Sequence, residues 1–252
     1  MLQIYSLIVF FILGTVFGSF YNVVGLRLPR KQSFHSGRSH CPSCKKTLLW
    51  YELFPVLSYL IQRGKCIRCK TKVSLIYPFI ELMTGILFAF SYWHLGFQLE
   101  LMTALLLMSM LMIIFVSDIT YMIIPNKVLL FFLPFFVVLR IVEPLNPWYD
   151  AVIGGIVGYT LIAIIIIVSK GGMGAGDMKL FGVLGIVLGL YSTLLTFFLS
   201  SLFGAIVGLI LKMMNKVKKQ QPIAFGPYIV VATVITYFYG REIIQLYLTL
   251  FP

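Results

Sequence analysis

An all-α fold, a polytopic membrane helix bundle with a small metal-binding loop, is the class this sequence predicts, on three observations. Hydrophobic residues fill 60% of the 252 positions and charged ones only 11%, with a mean hydropathy of +0.98, a balance foreign to a soluble domain of this length. The apolar residues come in runs close to the roughly 20 that a helix needs to cross a hydrocarbon core about 30 Å thick. All four cysteines fall within the first polar interval.

The first run, residues 1–26, holds no charged residue and lacks the positive start of a cleaved signal peptide, so it predicts a retained transmembrane helix. A basic interval, 27–72, follows as a loop domain. The remainder, 73–252, predicts the rest of the bundle, with apolar runs at about 73–96, 99–117, 127–143, 150–169, 178–191, 192–213 and 222–240. That makes about eight transmembrane helices, the closest division falling near Gly189–Ser192. The spacings Gly154-x-x-x-Gly158, Gly185-x-x-x-Gly189 and Gly204-x-x-x-Gly208 predict close helix approach, within the bundle or across a homodimer.

Charge sets the expected orientation. With Met1 outside, segments 27–72, 118–127, 169–179 and 212–221 are cytoplasmic and carry 18 of the 20 lysines and arginines, leaving Arg140 and Arg241 on the other side. The net charge of +12 therefore reads as membrane topology before nucleic-acid binding, and nucleic acid is not expected as a partner. Within 27–72, eleven basic residues face the single acid Glu52, a surplus that suits acidic headgroups or acidic partners.

This topology puts Asp118 and Asp177 on one cytoplasmic boundary. Asp118 lies in Ser117-Asp118-Ile119-Thr120-Tyr121-Met122-Ile123-Ile124-Pro125-Asn126, where Pro-Asn ends a helix, and Asp177 in Gly171-Gly172-Met173-Gly174-Ala175-Gly176-Asp177-Met178-Lys179-Leu180. Broken backbone at membrane depth is tolerated where it is buried in protein or lines a wet cavity. Two carboxylates in such a place share a proton, so one can act as general base on water and the other as general acid, the chemistry of an aspartic protease. Two other readings stand beside it: Asp177 as N-cap of a helix beginning at Met178, and both acids as part of a proton or cation path. A phosphate loop is excluded, because G-x-x-x-x-G-K-[ST] is absent.

Cys41-Pro42-Ser43-Cys44 and Cys66-Ile67-Arg68-Cys69, with 21 residues between the pairs, predict a four-thiolate zinc site. Four sulfur ligands close the coordination shell, so the zinc is expected to be structural. Disulfides are the alternative, disfavoured on the reducing side of the membrane. His40 reads as a surface residue beside the site, Glu81 as an acid buried two turns into the second span, and Met102, Met108, Met110 and Met112 as core or lipid-facing filler. No internal repeat is apparent.

Taken together these residues resemble the type IV prepilin peptidases (prepilin leader peptidase/N-methyltransferase). Gly174-Ala175-Gly176-Asp177 matches their GxGD signature, and Asp118 followed by Ile124-Pro125-Asn126 matches their other aspartate motif. Upstream, Gly18-Ser19-Phe20-x-Asn22-Val23, Arg27-Leu28-Pro29, the two cysteine pairs, Ser58-Tyr59-Leu60, Arg63-Gly64-Lys65-Cys66 and Tyr77-Pro78-x-x-Glu81 follow in the family's order. The likeness covers roughly 10–215, and Ile67 departs from an arginine often found there.

The resemblance implies a multi-pass enzyme of the bacterial inner or cytoplasmic membrane. It would cut the short basic leader from type IV prepilins or pseudopilins after a glycine, on the cytoplasmic side, and N-methylate the new terminus with S-adenosylmethionine. It assigns Asp118 and Asp177 as the peptidase pair and Cys41, Cys44, Cys66 and Cys69 as the zinc ligands, and competence pseudopilins are one setting it allows. No nucleotide-binding fold is legible, so the residues that would hold the methyl donor are unknown; Gly18, Asn22, Arg27 and Glu81 are candidate supports. A proton-coupled transporter and a non-catalytic pilus or secretion scaffold are the competing classes.

Overall fold

The computed structural model describes residues 2–33, 39–41, 43–170, 172–214 and 224–250. Pro42 of the first cysteine pair, Gly171 of the glycine stretch and the basic residues at 216, 218 and 219 lie outside the described residues. Two compact units divide the chain, Met1–Val116 and Ser117–Pro252.

The first unit holds α1 (Leu2–Arg27), a 3₁₀ turn (Trp50–Leu53), α2 (Leu57–Ile61), α3 (Ile76–Leu95) and most of α4 (Leu99–Tyr121). Small residues let α1 and α3 pack antiparallel at backbone contact: a Cβ on Gly14 would meet the Thr84 carbonyl at 2.6 Å, and one on Gly18 the Glu81 Cα at 2.8 Å. Tyr21 then fastens α1 to α4 by donating its hydroxyl to Ser109 Oγ at 2.6 Å. The buried middle of α4, with Leu107, Met108, Met110 and Leu111, is core.

The second unit holds the end of α4, α5 (Asn126–Val142), α6 (Asp150–Val168), α7 (Ala175–Leu188), α8 (Leu190–Met213) and α9 (Gly226–Leu250). Gly154 and Gly185 bring α6 and α7 into contact so close that a Cβ on either would overlap the other's backbone, which is the approach their spacing predicts. Gly189, at φ +79°, separates α7 from α8, and Asp150 Oδ1 accepts the freed Leu190 N–H at 3.1 Å. Arg140, buried at the end of α5, donates to the Val187 carbonyl from Nη2 at 2.8 Å and from Nε at 3.1 Å.

The expected eight spans are corrected to six. Among the described residues only α1, α3, α4, α6, α8 and α9 are long and apolar enough to cross a membrane. The runs at 127–143 and 178–191 do form helices, but α5 has 17 residues and α7 has 14. At 1.5 Å per residue these span about 26 and 21 Å, short of a 30 Å core. The ends of α5 are set by Pro125 and Glu143 and those of α7 by Gly174 and Gly189.

Candidate active site and metal centre

Both aspartates sit where a helix meets a break, and both belong to the second unit. Asp118 occupies the last turn of α4. Beyond it Met122 takes φ +54°, and Ser117 Oγ donates to the Ile123 carbonyl at 2.5 Å, closing the chain into a turn that Pro125 hands on to α5. Asp177 occupies the first turn of α7, with Gly176 against Ile124 from that same turn: a Cβ there would lie 2.9 Å from Ile124 Cβ. The two sequence motifs thus meet through Gly176 and Ile124. Lys179 Nζ adds a bond to Asn126 Oδ1 at 3.1 Å.

Each carboxylate is buried and held through one oxygen by a backbone amide. Gly226 N–H donates to Asp118 Oδ2 at 2.7 Å, and Gly174 N–H to Asp177 Oδ2 at 3.1 Å. Neither Oδ1 has a hydrogen bond among the described residues. The side chains lie near enough for the charge of Asp118 to act on Asp177. The reading of Asp177 as N-cap of a helix from Met178 is corrected: α7 starts at Ala175 with Gly174 as cap, and Asp177 is the third helical residue, taking the cap's amide as the acid of a capping box does.

Gly226 is the residue that sequence reasoning missed. A Cβ on it would lie 2.6 Å from Asp118 Oδ2 and 2.8 Å from its Cγ, so only glycine fits. The available signal was Phe225-Gly226-Pro227, a glycine beside a proline at a helix start. A mostly apolar cavity of about 1040 Å³ lies between α5, α6 and α7 against Lys179, Gly182 and Ile186, and neither aspartate lines it.

In the first unit the four cysteines come together, their Sγ atoms all within 4.8 Å of one another. Cys41 and Cys69 are 3.8 Å apart and Cys44 and Cys66 are 4.0 Å apart, too far for disulfides. Sulfurs about 2.3 Å from a tetrahedral zinc would be separated by about 3.8 Å, so the donor set fits that ion. His40 stands outside the group, paired with Thr47.

The two cysteine turns are copies of each other, displaced by 25 residues. Lys45 N–H to the Cys41 carbonyl corresponds to Lys70 N–H to that of Cys66, and Cys41 N–H to Lys46 corresponds to Cys66 N–H to Thr71, each at 2.9 Å. Lys45 and Lys70 share φ near +55°, at 54° and 58°. This short repeat was invisible in the sequence because little beyond C-x-x-C-Lys is common to both. The turns aim amides at sulfur: Cys44 and Ser43 N–H groups draw the Cys41 thiol below its ordinary range, and the Thr71 hydroxyl, 3.2 Å away, with the Thr71 N–H draws Cys69 down to about 6. Both shifts favour the thiolate that a metal requires, whereas at Cys44 the Lys46 amide is outweighed by burial and the neighbouring thiols, which push that thiol up to about 11.

The candidate donor supports are divided. Gly18 serves α1–α3 packing, Asn22 Nδ2 donates to the Tyr77 carbonyl at 3.1 Å, and Glu81 Oε2 accepts the Val56 N–H at 2.7 Å, all at one end of the α1–α3 pair. Arg27 turns instead to the Ser33 carbonyl at 3.4 Å.

Two family models match the chain: the bacterial peptidase A24 N-terminal domain over residues 12–95 and the type IV leader peptidase family over 105–209. Among curated proteins, a prepilin leader peptidase/N-methyltransferase of Bacillus subtilis is 42% identical over 240 residues, covering 95% of this chain and 97% of that one. Proteins of the same description from Stutzerimonas stutzeri and Pseudomonas aeruginosa are 31% and 32% identical, each covering 94% of this chain and 92% and 91% of the relative. No solved structure matches.

Proposed function

The chain belongs to the type IV leader peptidase family, and from that premise we propose that Asp118 and Asp177 are the catalytic pair of a membrane endopeptidase that removes the basic leader of prepilins or pseudopilins after a glycine. It is a multi-pass membrane enzyme. The observation that carries the assignment of residues is the arrangement of the two acids: both buried, each anchored by a single amide on Oδ2, and their two motifs brought together by the contact of Gly176 with Ile124.

That arrangement suits proton sharing. With one proton between them, the ionised member takes a proton from water as the water oxygen bonds to the carbonyl carbon and the protonated member gives its proton to the carbonyl oxygen; the proton just taken then passes to the leaving amine as the C–N bond breaks, a hydroxyl proton returns to the other carboxylate, and the pair is back in its starting state. The Gly226 and Gly174 amides keep the carboxylates from turning. The substrate fits the setting, because a basic leader followed by an apolar helix puts the scissile bond at a membrane boundary. The clustering of lysine and arginine in 27–72 and 212–221 supports a cytoplasmic site.

Residues 27–72 then act as a loop domain in which Cys41, Cys44, Cys66 and Cys69 hold a structural zinc, and 73–252 as the bundle carrying the acids. S-adenosylmethionine is the proposed methyl donor, on the strength of what the relatives are called. Gly18, Asn22 and Glu81 are engaged in joining helices and α2, so no methyl-transfer step is assigned to them; Asn22 Oδ1 is buried with no partner among the described residues.

Mass spectrometry of a prepilin co-expressed with the wild-type chain, D118N or D177N tests the reading. Loss of the leader mass with the wild type alone supports it, and an added methyl on the mature chain supports the transferase. Leader removal by either variant overturns that residue's role, and a prepilin left whole by all three would favour transport or scaffolding for this substrate.

A further inference from the structure

Residues 49–61 join the second cysteine turn to the first along a path that hides almost none of its apolar side chains. Trp50 is 74% exposed and Ile61 81%, with Tyr51, Phe54, Leu57 and Leu60 also open. The rings gather, Trp50 standing 5.9 Å from both Tyr51 and Phe54, while Leu57, Leu60 and Ile61 share one side of α2. The single acid in the stretch, Glu52, is buried and neutralised: Lys46 Nζ donates to its two oxygens at 3.1 and 3.2 Å, and Leu49 N–H to Oε2 at 2.8 Å. Exposed cations, Lys45, Arg63, Lys65 and Arg68, border the patch.

The depth of this patch is set by one bond. Val56 adopts φ +60°, a conformation costly for a β-branched residue, and its N–H reaches Glu81 Oε2 at 2.7 Å. Glu81 lies in the second turn of α3, a helix long and apolar enough to cross the membrane. The patch is therefore pinned near the end of a helix long and apolar enough to cross the membrane. Aromatic rings with an apolar body and a polar edge favour the level of the headgroups, and flanking cations are drawn to anionic lipid there.

We propose that residues 49–61 are an interfacial anchor that beds the cysteine loop into a bilayer of anionic phospholipid. The buried carboxylate of Glu81 is its hook, and Trp50, the most exposed of its rings, is its leading aromatic contact. The zinc turns are thereby held at the membrane surface instead of extending into water.

The test uses the full chain in vesicles of phosphatidylglycerol and phosphatidylcholine, with W93F and W148F leaving Trp50 as the one tryptophan; both replaced residues are exposed. Emission should be blue-shifted, quenched by lipids brominated near the ester end of the acyl chain more than by those brominated at the tail, and reached by acrylamide severalfold less than free tryptophan. Replacing phosphatidylglycerol with phosphatidylcholine should weaken the bromolipid quenching. Acrylamide access equal to that of free tryptophan would place the patch in water, and resistance to both quenchers would mean that protein covers it; either overturns the anchor. Quenching indifferent to headgroup charge overturns the anionic preference. Should the double variant lose its zinc, the same quantities follow from wild type minus W50F.

Discussion

Asp118, at the end of α4, accepts the amide N–H of Gly226, the first residue of α9, at 2.7 Å across 108 residues of chain. The bond ties the carboxylate to the positive end of a helix dipole, which favours its charged form. It also explains why α9 must open with a residue that has no side chain, since a Cβ would fall on Asp118 itself.

Gly226→Ala should therefore damage the site without damaging the bundle. Displacing the amide removes a hydrogen bond to a charged group, worth about 1.5–3 kcal/mol, so leader cleavage should fall by roughly 10- to 100-fold at about 1.4 kcal/mol per decade. Gly204→Ala is the control: there a Cβ would meet Phe225 at 3.4 Å, an ordinary contact. Initial cleavage rates of the two variants, measured at matched amounts of membrane-inserted protein, decide the matter; equal rates would show that Gly226 does not position Asp118.

The α6–α7 contact gives a stability prediction. Gly185→Ala puts a methyl into the Gly154 backbone, which has no rotamer with which to yield, and overpacking of this kind costs about 1–3 kcal/mol. Gly155→Ala presses only on the flexible Ile186 side chain, at 2.9 Å from Cγ1, and should cost less. Thermal unfolding in detergent should rank wild type above G155A and G155A above G185A.

How legible the site was depended on sequence distance. Asp118 and Asp177 could be paired from charge and topology because each stands beside its own helix break, and the cysteines because metal spacing is local. Gly226 could not be paired with Asp118: a glycine carries no chemistry of its own, and its contact is with a side chain 108 positions away. The Glu81–Val56 bond was hidden for the same reason, one partner being a bare amide in a strained turn. Eight spans were read where six helices are long and apolar enough to cross, because α5 and α7 are as apolar as those six and fall short of them only in length. The 25-residue repeat was missed because it resides in backbone hydrogen bonds.

Removing a zinc ligand should act locally. The cysteine turns contribute few buried apolar groups, so metal binding supplies the order that a hydrophobic core supplies elsewhere. Cys66→Ser should reduce bound zinc from one per chain to background and strip amide-exchange protection from residues 39–73. Protection in α7 to α9 should persist, because that unit has its own core around Phe136, Phe181 and Leu184. Loss of protection throughout both units would contradict this.

The two cysteine turns differ in one respect that pH should expose. Thr71 offers Cys69 a hydroxyl at 3.2 Å, while its counterpart in the first turn, Lys46, is committed to Glu52. The hydroxyl and the Thr71 amide draw Cys69 from the ordinary thiol value of 9.0 down to about 6. A group depressed in the folded state contributes stability that is complete above its unfolded value and is lost as pH falls through its folded value. For Cys69 the window runs from 9.0 down to about 6. Thr71→Val keeps the shape and the amide but removes the hydroxyl, so the thiolate is less favoured and protons compete with the metal sooner. Zinc release followed by a chromogenic chelator should then have its midpoint shifted to higher pH by a fraction of a unit, whereas Lys46→Met, which leaves the Lys46 amide in place, should not move it through Cys69. A midpoint unchanged in T71V would mean that the backbone amide alone sets the Cys69 thiolate.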